Sequence, residues 1–142
     1  MNNFFIKVRS SDESIRVSRH LFWTCLELDD DDCVTMAYIF RSIGMLTNLR
    51  VLWLNRNQIG ERGMLALCDV WRQDRLLPNM RSLNLGWNHF GDRATVALAS
   101  VPLPCLNLLN IPDIGLTADG EGMKAIANAR GTTFAKGFVC IT

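Results

Sequence analysis

Residues 80–99 read MRSLNLGWNHFGDRATVALA, and residues 49–68 read LRVLWLNRNQIGERGMLALC. Aligned without gaps, the two stretches share an apolar residue, two free positions, Leu, one free position, Leu, two free positions and Asn. One further free position, an apolar residue, Gly and a later Ala-Leu pair complete the common pattern. A sequence repeat of this kind decides the architecture before any single residue is interpreted. Stacked units predict a broad surface rather than a cleft lined with catalytic groups.

The spacing within one unit predicts a strand, an inward turn and a helix. Leu52 and Leu54 alternate with free positions, as the buried face of a strand requires. Asn57 follows where the chain turns inward, and its amide can satisfy backbone groups of the neighbouring turn. Gly60 permits the bend, and Glu61 places negative charge at the start of a helix. The second copy repeats these features at Leu83, Leu85, Asn88, Gly91 and Asp92.

Weaker copies extend the pattern on both sides. Upstream, the apolar triplet is Trp23, Leu26 and Leu28, with Asp31 at the site of the pattern's Asn. Downstream, the triplet is Leu106, Leu109 and Ile111, and Ile114 occupies the Asn site. Further helices are predicted near Thr35–Ser42 and Glu121–Ala129. A fifth copy is predicted to use Phe138 and Cys140 as its strand anchors, so the steps are about 26, 31, 26 and 29 residues.

This phasing divides the chain into three parts. Residues 1–21 are predicted to form an N-terminal cap over the open end of the first repeat, in which Phe4–Val8 and Ile15–Val17 resemble short strands. Residues 22–130 are predicted to contain about four repeats. Residues 131–142 are predicted to form a degenerate C-terminal repeat or cap strand.

The pattern LxxLxLxxNxIGxxGxxALA resembles the ribonuclease-inhibitor-like class of leucine-rich repeats. The first copy matches it at Leu52, Leu54, Asn57, Ile59, Gly60, Gly63, Ala66 and Leu67. The second copy matches it at Leu83, Leu85, Asn88, Phe90, Gly91, Asp92, Ala94, Ala97 and Leu98. The resemblance implies an α/β fold, a short right-handed horseshoe with parallel strands on the concave face and helices on the convex face. It also implies that a protein partner binds the concave face.

The phase places two rows of outward side chains on the concave face. One row is Glu27, Trp53, Asn84 and Asn110, and the other is Cys25, Val51, Ser82 and Leu108. Just beyond the strands, one predicted row contains Asp29, Asn55, Gly86 and Pro112, and the next contains Asp30, Arg56, Trp87 and Asp113. Exposed Trp and Arg dominate binding hot spots, although a Trp can also fold over a neighbouring strand and cover the sheet. The predicted protein-binding residues are Glu27, Val51, Trp53, Arg56, Ser82, Asn84, Trp87 and Asn110.

The acidic run Asp29–Asp32 lacks the alternate spacing, central Gly and distal Glu of a calcium loop. We interpret it as the turn after the first strand, with Asp31 inward and the other carboxylates solvated. If the run binds anything, a basic protein surface fits better than a metal ion. We therefore predict no metal site.

Other chemistry is equally unsupported. The sequence contains no GxxxxGK[ST], HExxH or GxSxG motif, and neither His20 nor His89 has a predicted acid or nucleophile beside it. We predict no catalytic residues and no cofactor. The formal net charge of +1 and scattered arginines argue against nucleic acid. Cys33, Cys68 and Cys140 are predicted core positions. Five scattered cysteines and the absence of a long apolar run predict a cytoplasmic protein that does not bind membranes.

The sequence thus predicts a non-catalytic recognition or scaffold module that binds a protein partner on the concave sheet. One alternative is an enzyme regulator, such as an inhibitor or a GTPase-activating protein that would use Arg56. Another alternative is a structural repeat piece of a larger assembly. A monomer is predicted, with self-association through an open sheet edge as the competing state.

Overall fold

The computed structural model describes residues 3–118, 120–134 and 138–140. Helices and strands alternate after two short N-terminal helices. In chain order the elements are α1 (Phe4–Val8), α2 (Asp12–Val17), β1 (His20–Phe22), α3 (Asp30–Ile43), β2 (Val51–Trp53), α4 (Glu61–Gln73), β3 (Ser82–Asn84), α5 (Gly91–Ala99), β4 (Leu108–Asn110), α6 (Glu121–Ala129) and β5 (Phe138–Cys140).

The five strands form one parallel sheet in sequence order. Each strand is joined to the next by one helix, and helices α3, α4, α5 and α6 contact one another in the same order. This arrangement confirms the predicted α/β leucine-rich-repeat solenoid, with strands on one side of the molecule and helices on the other. In the register, Leu52 pairs with Leu83, which pairs with Leu109, so the inward leucines form a continuous row.

The core lies between the sheet and the helices. Leu52, Leu54, Leu83 and Leu85 are completely buried, as their alternation predicts. Helix α4 contributes its predicted face, with Met64, Leu67, Cys68 and Trp71 buried against the sheet. Burial of a Leu side chain contributes roughly 1.5–3 kcal/mol, and the repeated leucines therefore supply much of the stabilising free energy.

The N-terminal segment is helical, so the expectation of short strands at Phe4–Val8 and Ile15–Val17 is wrong. In α1, Phe4 and Val8 are four residues apart and both are buried, which is helical rather than strand spacing. Helix α2 begins with a capping box in which Ser11 and Ser14 exchange side-chain and backbone hydrogen bonds. Both helices contact α3 beside the first repeat.

The phase predicted for the first repeat is also wrong. Leu21 pairs with Leu52 and Phe22 pairs with Trp53, so β1 includes residues 20 and 21 and its inward positions are Leu21 and Trp23. The first and second repeats are therefore separated by 31 residues, as are the second and third. The predicted step of 26 residues matches Trp23 to the wrong site of the pattern. Leu26, not Asp31, corresponds to Asn57.

The last strand differs from its prediction by one residue. Val139 pairs with Leu109, and Cys140 pairs with Asn110 in the outward row. Because a shift of one residue reverses the faces of a strand, Val139 is the inward anchor and Cys140 is not a core position. The predicted C-terminal segment also includes residues 135–137, 141 and 142, which lie outside the described residues. Among the described residues, every helix is too short or too polar to cross a bilayer.

Candidate functional site

The outer face of the sheet carries one row of side chains that runs across all five strands. The paired residues are Phe22, Trp53, Asn84, Asn110 and Cys140. The register confirms that Trp53, Asn84 and Asn110 share this row. Glu27 does not belong to it, because Phe22 takes that place. Glu27 lies in the turn after β1, where its backbone is left-handed (φ 55°) and its side chain is exposed.

Three aromatic rings occupy the start of this face, and we call His20, Phe22 and Trp53 the aromatic strip. The His20 ring is nearly parallel to the Phe22 ring, with 5.9 Å between their centroids. The Phe22 ring meets the Trp53 ring edge-on, at 4.9 Å and 71°. The exposed fractions are 57% for Phe22 and 38% for Trp53, so much of this apolar area stays in contact with solvent.

Trp53 leans towards β3, where its indole Nε1 donates a hydrogen bond to Ser82 Oγ at 3.3 Å. This contact orients the ring and covers part of the sheet, as the alternative interpretation of an outward Trp anticipates. The ring nevertheless keeps over a third of its surface exposed. Beside it, the predicted Val51–Ser82 pairing is confirmed, and both residues are half-buried.

A second outward row follows the strands, in the turn that leads to each helix. Cys25, Arg56, Trp87 and Asp113 each adopt left-handed backbone, with φ between 50° and 58°. The rows predicted beyond the strands are therefore correct for Arg56, Trp87 and Asp113 but wrong for Asp30, whose place Cys25 takes. Thr24, rather than Asp29, lies beside Asn55, and its hydroxyl donates to Asn55 Oδ1 at 2.9 Å.

Arg56 and Trp87 form a cation–π pair in this row. The guanidinium carbon of Arg56 lies 4.4 Å from the centre of the Trp87 ring, and both side chains are exposed. Backbone hydrogen bonds hold both turns: Arg56 N donates to Gly86 O, and Trp87 N donates to Pro112 O. The pair is thus a rigid, partly apolar and positively charged feature beside the sheet.

Buried asparagines fix the turns that support these rows. Asn57 Nδ2 donates to Trp23 O and Leu54 O, and its Oδ1 accepts from Leu26 N and Leu28 N. Asn88 bonds in the same way to Leu54 O, Leu85 O and Ile59 N. The predicted role of these amides is confirmed. Each asparagine serves the turn before its own as well as its own turn.

Two other row asparagines are less completely bonded. Asn84 Oδ1 accepts from Gly86 N at 3.1 Å. Asn110 is half-buried, and its Oδ1 is buried with no hydrogen-bond partner among the described residues. These two residues therefore contribute polar groups to the sheet face that are already partly withdrawn from solvent.

The acidic run Asp29–Asp32 is used within the protein. Asp29 caps α3, and Asp30 Oδ1 accepts from Gly60 N and Gly63 N at the start of α4. Asp31 is exposed and pairs with Arg62 at 2.6 Å, whereas Asp32 is 2% exposed and faces Lys7 at 2.7 Å. The expectation that Asp31 points inward while the others are solvated is therefore wrong. Hydrogen bonds from Asp32 lower the pKa of Asp29.

Two thiols behave as buried apolar groups. Burial raises the pKa of the Cys68 thiol to about 12, and burial with nearby carboxylates raises the pKa of Cys33. A thiol held protonated in this way is a poor nucleophile and a poor metal ligand. In the described ranges, no three His, Cys, Asp or Glu side chains come together as a metal site would require.

The residue that sequence reasoning missed is Phe22, together with its neighbour His20. The 31-residue step could have found them. It aligns Met36, Ala37 and Phe40 of α3 with Leu67, Cys68 and Trp71 of α4, and these helical faces are buried in both repeats. The aromatic residues at the first strand obscure this correspondence, because Trp23 fits the apolar site at the start of the pattern as well as the one at its end.

Comparison with known sequences agrees with this architecture. A family model described as Leucine Rich repeat matches residues 46–68 and 77–99. No curated protein matches the chain. The two matched segments contain β2 with the start of α4 and β3 with α5, in the parallel sheet described above. The matched repeats and the single parallel sheet together identify the chain as a leucine-rich-repeat protein.

Proposed function

We propose that this protein is a non-catalytic recognition module that binds a protein partner on the outer face of its sheet. Leucine-rich-repeat proteins are generally protein-interaction modules, and the observation that carries the proposal here is the aromatic strip. Its Phe22 and Trp53 rings are 57% and 38% exposed. Large exposed apolar groups that lie together are characteristic of binding surfaces.

The Arg56–Trp87 pair extends the proposed binding surface beyond the strands. Trp and Arg are the residues most enriched in binding hot spots, because large rigid groups can be completely desolvated against a partner. Val51, Ser82, Asn84 and Asn110 fill the remaining sheet positions and supply shape and polar contacts. Glu27 is exposed near the first strand and would lie at the rim. The ribonuclease-inhibitor-like subclass, a monomeric state and a cytoplasmic location belong to the same proposal.

A peptide selection tests the proposal although the partner is unidentified. A random peptide library is selected on the wild-type protein, and the enriched peptides are measured on Phe22→Ala/Trp53→Ala. We expect the double variant to weaken these peptides by about 3 kcal/mol, or roughly 150-fold, because it removes two adjacent anchors. Trp87→Ala alone should cost about 2 kcal/mol.

The matched control is Val34→Ala/Tyr38→Ala on helix α3. These side chains are 43% and 74% exposed, so the control removes similar apolar surface from the helical side. Circular dichroism and thermal unfolding establish that each variant is folded. The proposal fails if no enriched peptide depends on the aromatic strip, or if the α3 variant weakens binding as much as the strip variant does.

A further inference from the structure

Three arginines occupy equivalent positions directly before the first three strands. Arg19, Arg50 and Arg81 are linked through their backbones: Arg50 N donates to Arg19 O, and Arg81 N donates to Arg50 O, both at 2.8 Å. We call these residues the arginine row. Adjacent strands lie about 4.8 Å apart, so the row crosses roughly 10 Å of the sheet edge. Arg19 and Arg81 are exposed, and Arg50 is half-buried.

No carboxylate of the described chain neutralises the arginine row. Arg19, Arg50 and Arg81 form no ion pair among the described residues, whereas five other arginines do: Arg16, Arg41, Arg62, Arg72 and Arg93. The paired arginines all lie in helices. The Arg50 side chain bonds to a neutral group, because its Nη1 donates to the backbone oxygen of Thr47 at 2.8 Å.

The sequence removes acidic residues from this side of the molecule. Residues 42–60, 75–91 and 93–112 contain no Asp or Glu, and they include strands β2, β3 and β4 with most of their flanking loops. The same segments contain Arg50, Arg56, Arg75, Arg81 and Arg93. The formal net charge of +1 therefore conceals a separation, with positive charge on the sheet side and most carboxylates on the helices or in the first turn.

We propose that the arginine row binds an acidic segment of the partner protein, beside the aromatic strip. This inference rests on the proposed function, because it names the chemistry of the partner at the same face. Carboxylates in an extended segment can accept hydrogen bonds from the guanidinium groups, and the potential of the row attracts them during encounter.

The geometry favours an acidic polypeptide over a nucleic acid. Single-stranded nucleic acids stack successive bases on aromatic faces, but the Phe22 ring meets Trp53 edge-on and the Trp53 indole is tied to Ser82. Exposed carboxylates lie beyond the strands at Glu27 and Asp113, where they would repel a phosphate backbone that crossed the sheet.

Fluorescence anisotropy with two labelled peptides tests the arginine row. One peptide alternates glutamate and serine, the other alternates lysine and serine, and each is about eight residues long, or roughly 26 Å when extended. We expect the wild type to prefer the glutamate peptide at low salt and to lose this preference as salt is added. Arg19→Gln/Arg50→Gln/Arg81→Gln should weaken the glutamate peptide about tenfold.

The control triple variant is Arg62→Gln/Arg72→Gln/Arg93→Gln, which removes the same charge from the helices. We expect it to bind the glutamate peptide within about twofold of wild type. Equal losses in both triple variants would show that only net charge matters and would overturn the inference. Tighter binding of a thymidine oligonucleotide of matched charge would overturn it in favour of nucleic acid.

The two proposals fail separately. A glutamate preference that the Arg19, Arg50 and Arg81 substitutions leave intact refutes the arginine row, even when library-selected peptides still depend on Phe22 and Trp53. Conversely, library-selected peptides that ignore Phe22→Ala/Trp53→Ala refute the aromatic strip, even when the glutamate preference depends on the three arginines. Phe22→Ala/Trp53→Ala should itself retain the preference for glutamate over lysine, because it leaves all three guanidinium groups in place.

Discussion

The two central repeats and the first repeat have the same geometry but obtain it from different residues. In the central repeats, Asn57 and Asn88 bond the turns, and both sequences follow one leucine pattern. In the first repeat, Leu26 stands at the equivalent position, and helices α1 and α2 contact the neighbouring helix α3. The difference shows that a repeat position is determined by its neighbours rather than by its own unit alone.

The direction of the asparagine bonds explains this difference. Asn57 bonds Trp23 O, Leu26 N and Leu28 N in the turn before its own, and Asn88 bonds Leu54 O and Ile59 N in the same sense. The first repeat has no earlier repeat to bond, so an amide at residue 26 would lack these partners. An apolar side chain there can pack against the core instead, as Leu26 does.

The largest predicted effect comes from making a central repeat resemble the first one. Asn88→Leu should lower the free energy of unfolding by about 3 kcal/mol or more, because it leaves Leu54 O, Leu85 O and Ile59 N without their partner in the core. Urea denaturation measures this change as a lower midpoint. Asn128→Ala, at an exposed position of α6, should change the same quantity by less than about 0.5 kcal/mol.

If Asn88→Leu and Asn128→Ala lowered the urea midpoint equally, the asparagine bonds would not be what holds the central turns. The comparison between central and first repeats would then lose its physical basis. Near-UV circular dichroism distinguishes this outcome from a global loss of packing, because the tryptophans of both regions report on tertiary order.

The central repeats could be predicted from sequence because their apolar positions, ladder asparagines and glycines agree on one phase. The first repeat could not, because its strand anchors are Leu21 and Trp23 and its ladder position is apolar. A search for a polar residue at that position selects Asp31, which in fact pairs with Arg62 on the surface. The site prediction shares this error, so it includes Trp53 but names Glu27 in place of Phe22.

Other features depend on contacts that no local pattern shows. Short N-terminal helices depend on burial of Phe4 against Trp23 in an edge-on contact at 5.5 Å. The arginine row emerges only when the 31-residue step brings distant arginines to one edge of the sheet. Scattered positions in a sequence can therefore form one charged surface in a solenoid.

A smaller effect is predicted at the contact between the cap and the first repeat. Lys7 Nζ lies 2.7 Å from Asp32 Oδ2, where Asp32 is 2% exposed and the Lys7 side chain is 29% exposed. Lys7→Met should lower the free energy of unfolding by about 2 kcal/mol, between the values for surface and buried ion pairs. Lys124→Met, whose side chain is 66% exposed, should have almost no effect.

The contribution of Lys7 should depend on pH in a defined direction. The hydrogen bond from Lys7 to Asp32 raises the pKa of Lys7 above its ordinary value. A raised pKa contributes stability that is present below the unfolded value of about 10.4 and is lost as pH rises through the folded value. The stability difference between wild type and Lys7→Met should therefore be constant near neutral pH and shrink in strong alkali. A difference that persists unchanged there would contradict the charge-based explanation.

The phase of the first repeat can be tested most directly by disulfide trapping, in a background whose exposed native cysteines are replaced by serine. Paired residues on adjacent strands lie about 4.8 Å apart, within the Cα range of a disulfide. The register predicts that Phe22→Cys/Trp53→Cys forms a cross-link on mild oxidation, detected by mass spectrometry of the linked peptides. Glu27→Cys/Trp53→Cys should remain reduced. Efficient cross-linking of residue 27 instead of residue 22 would contradict the 31-residue step, the aromatic strip and the binding surface built on them.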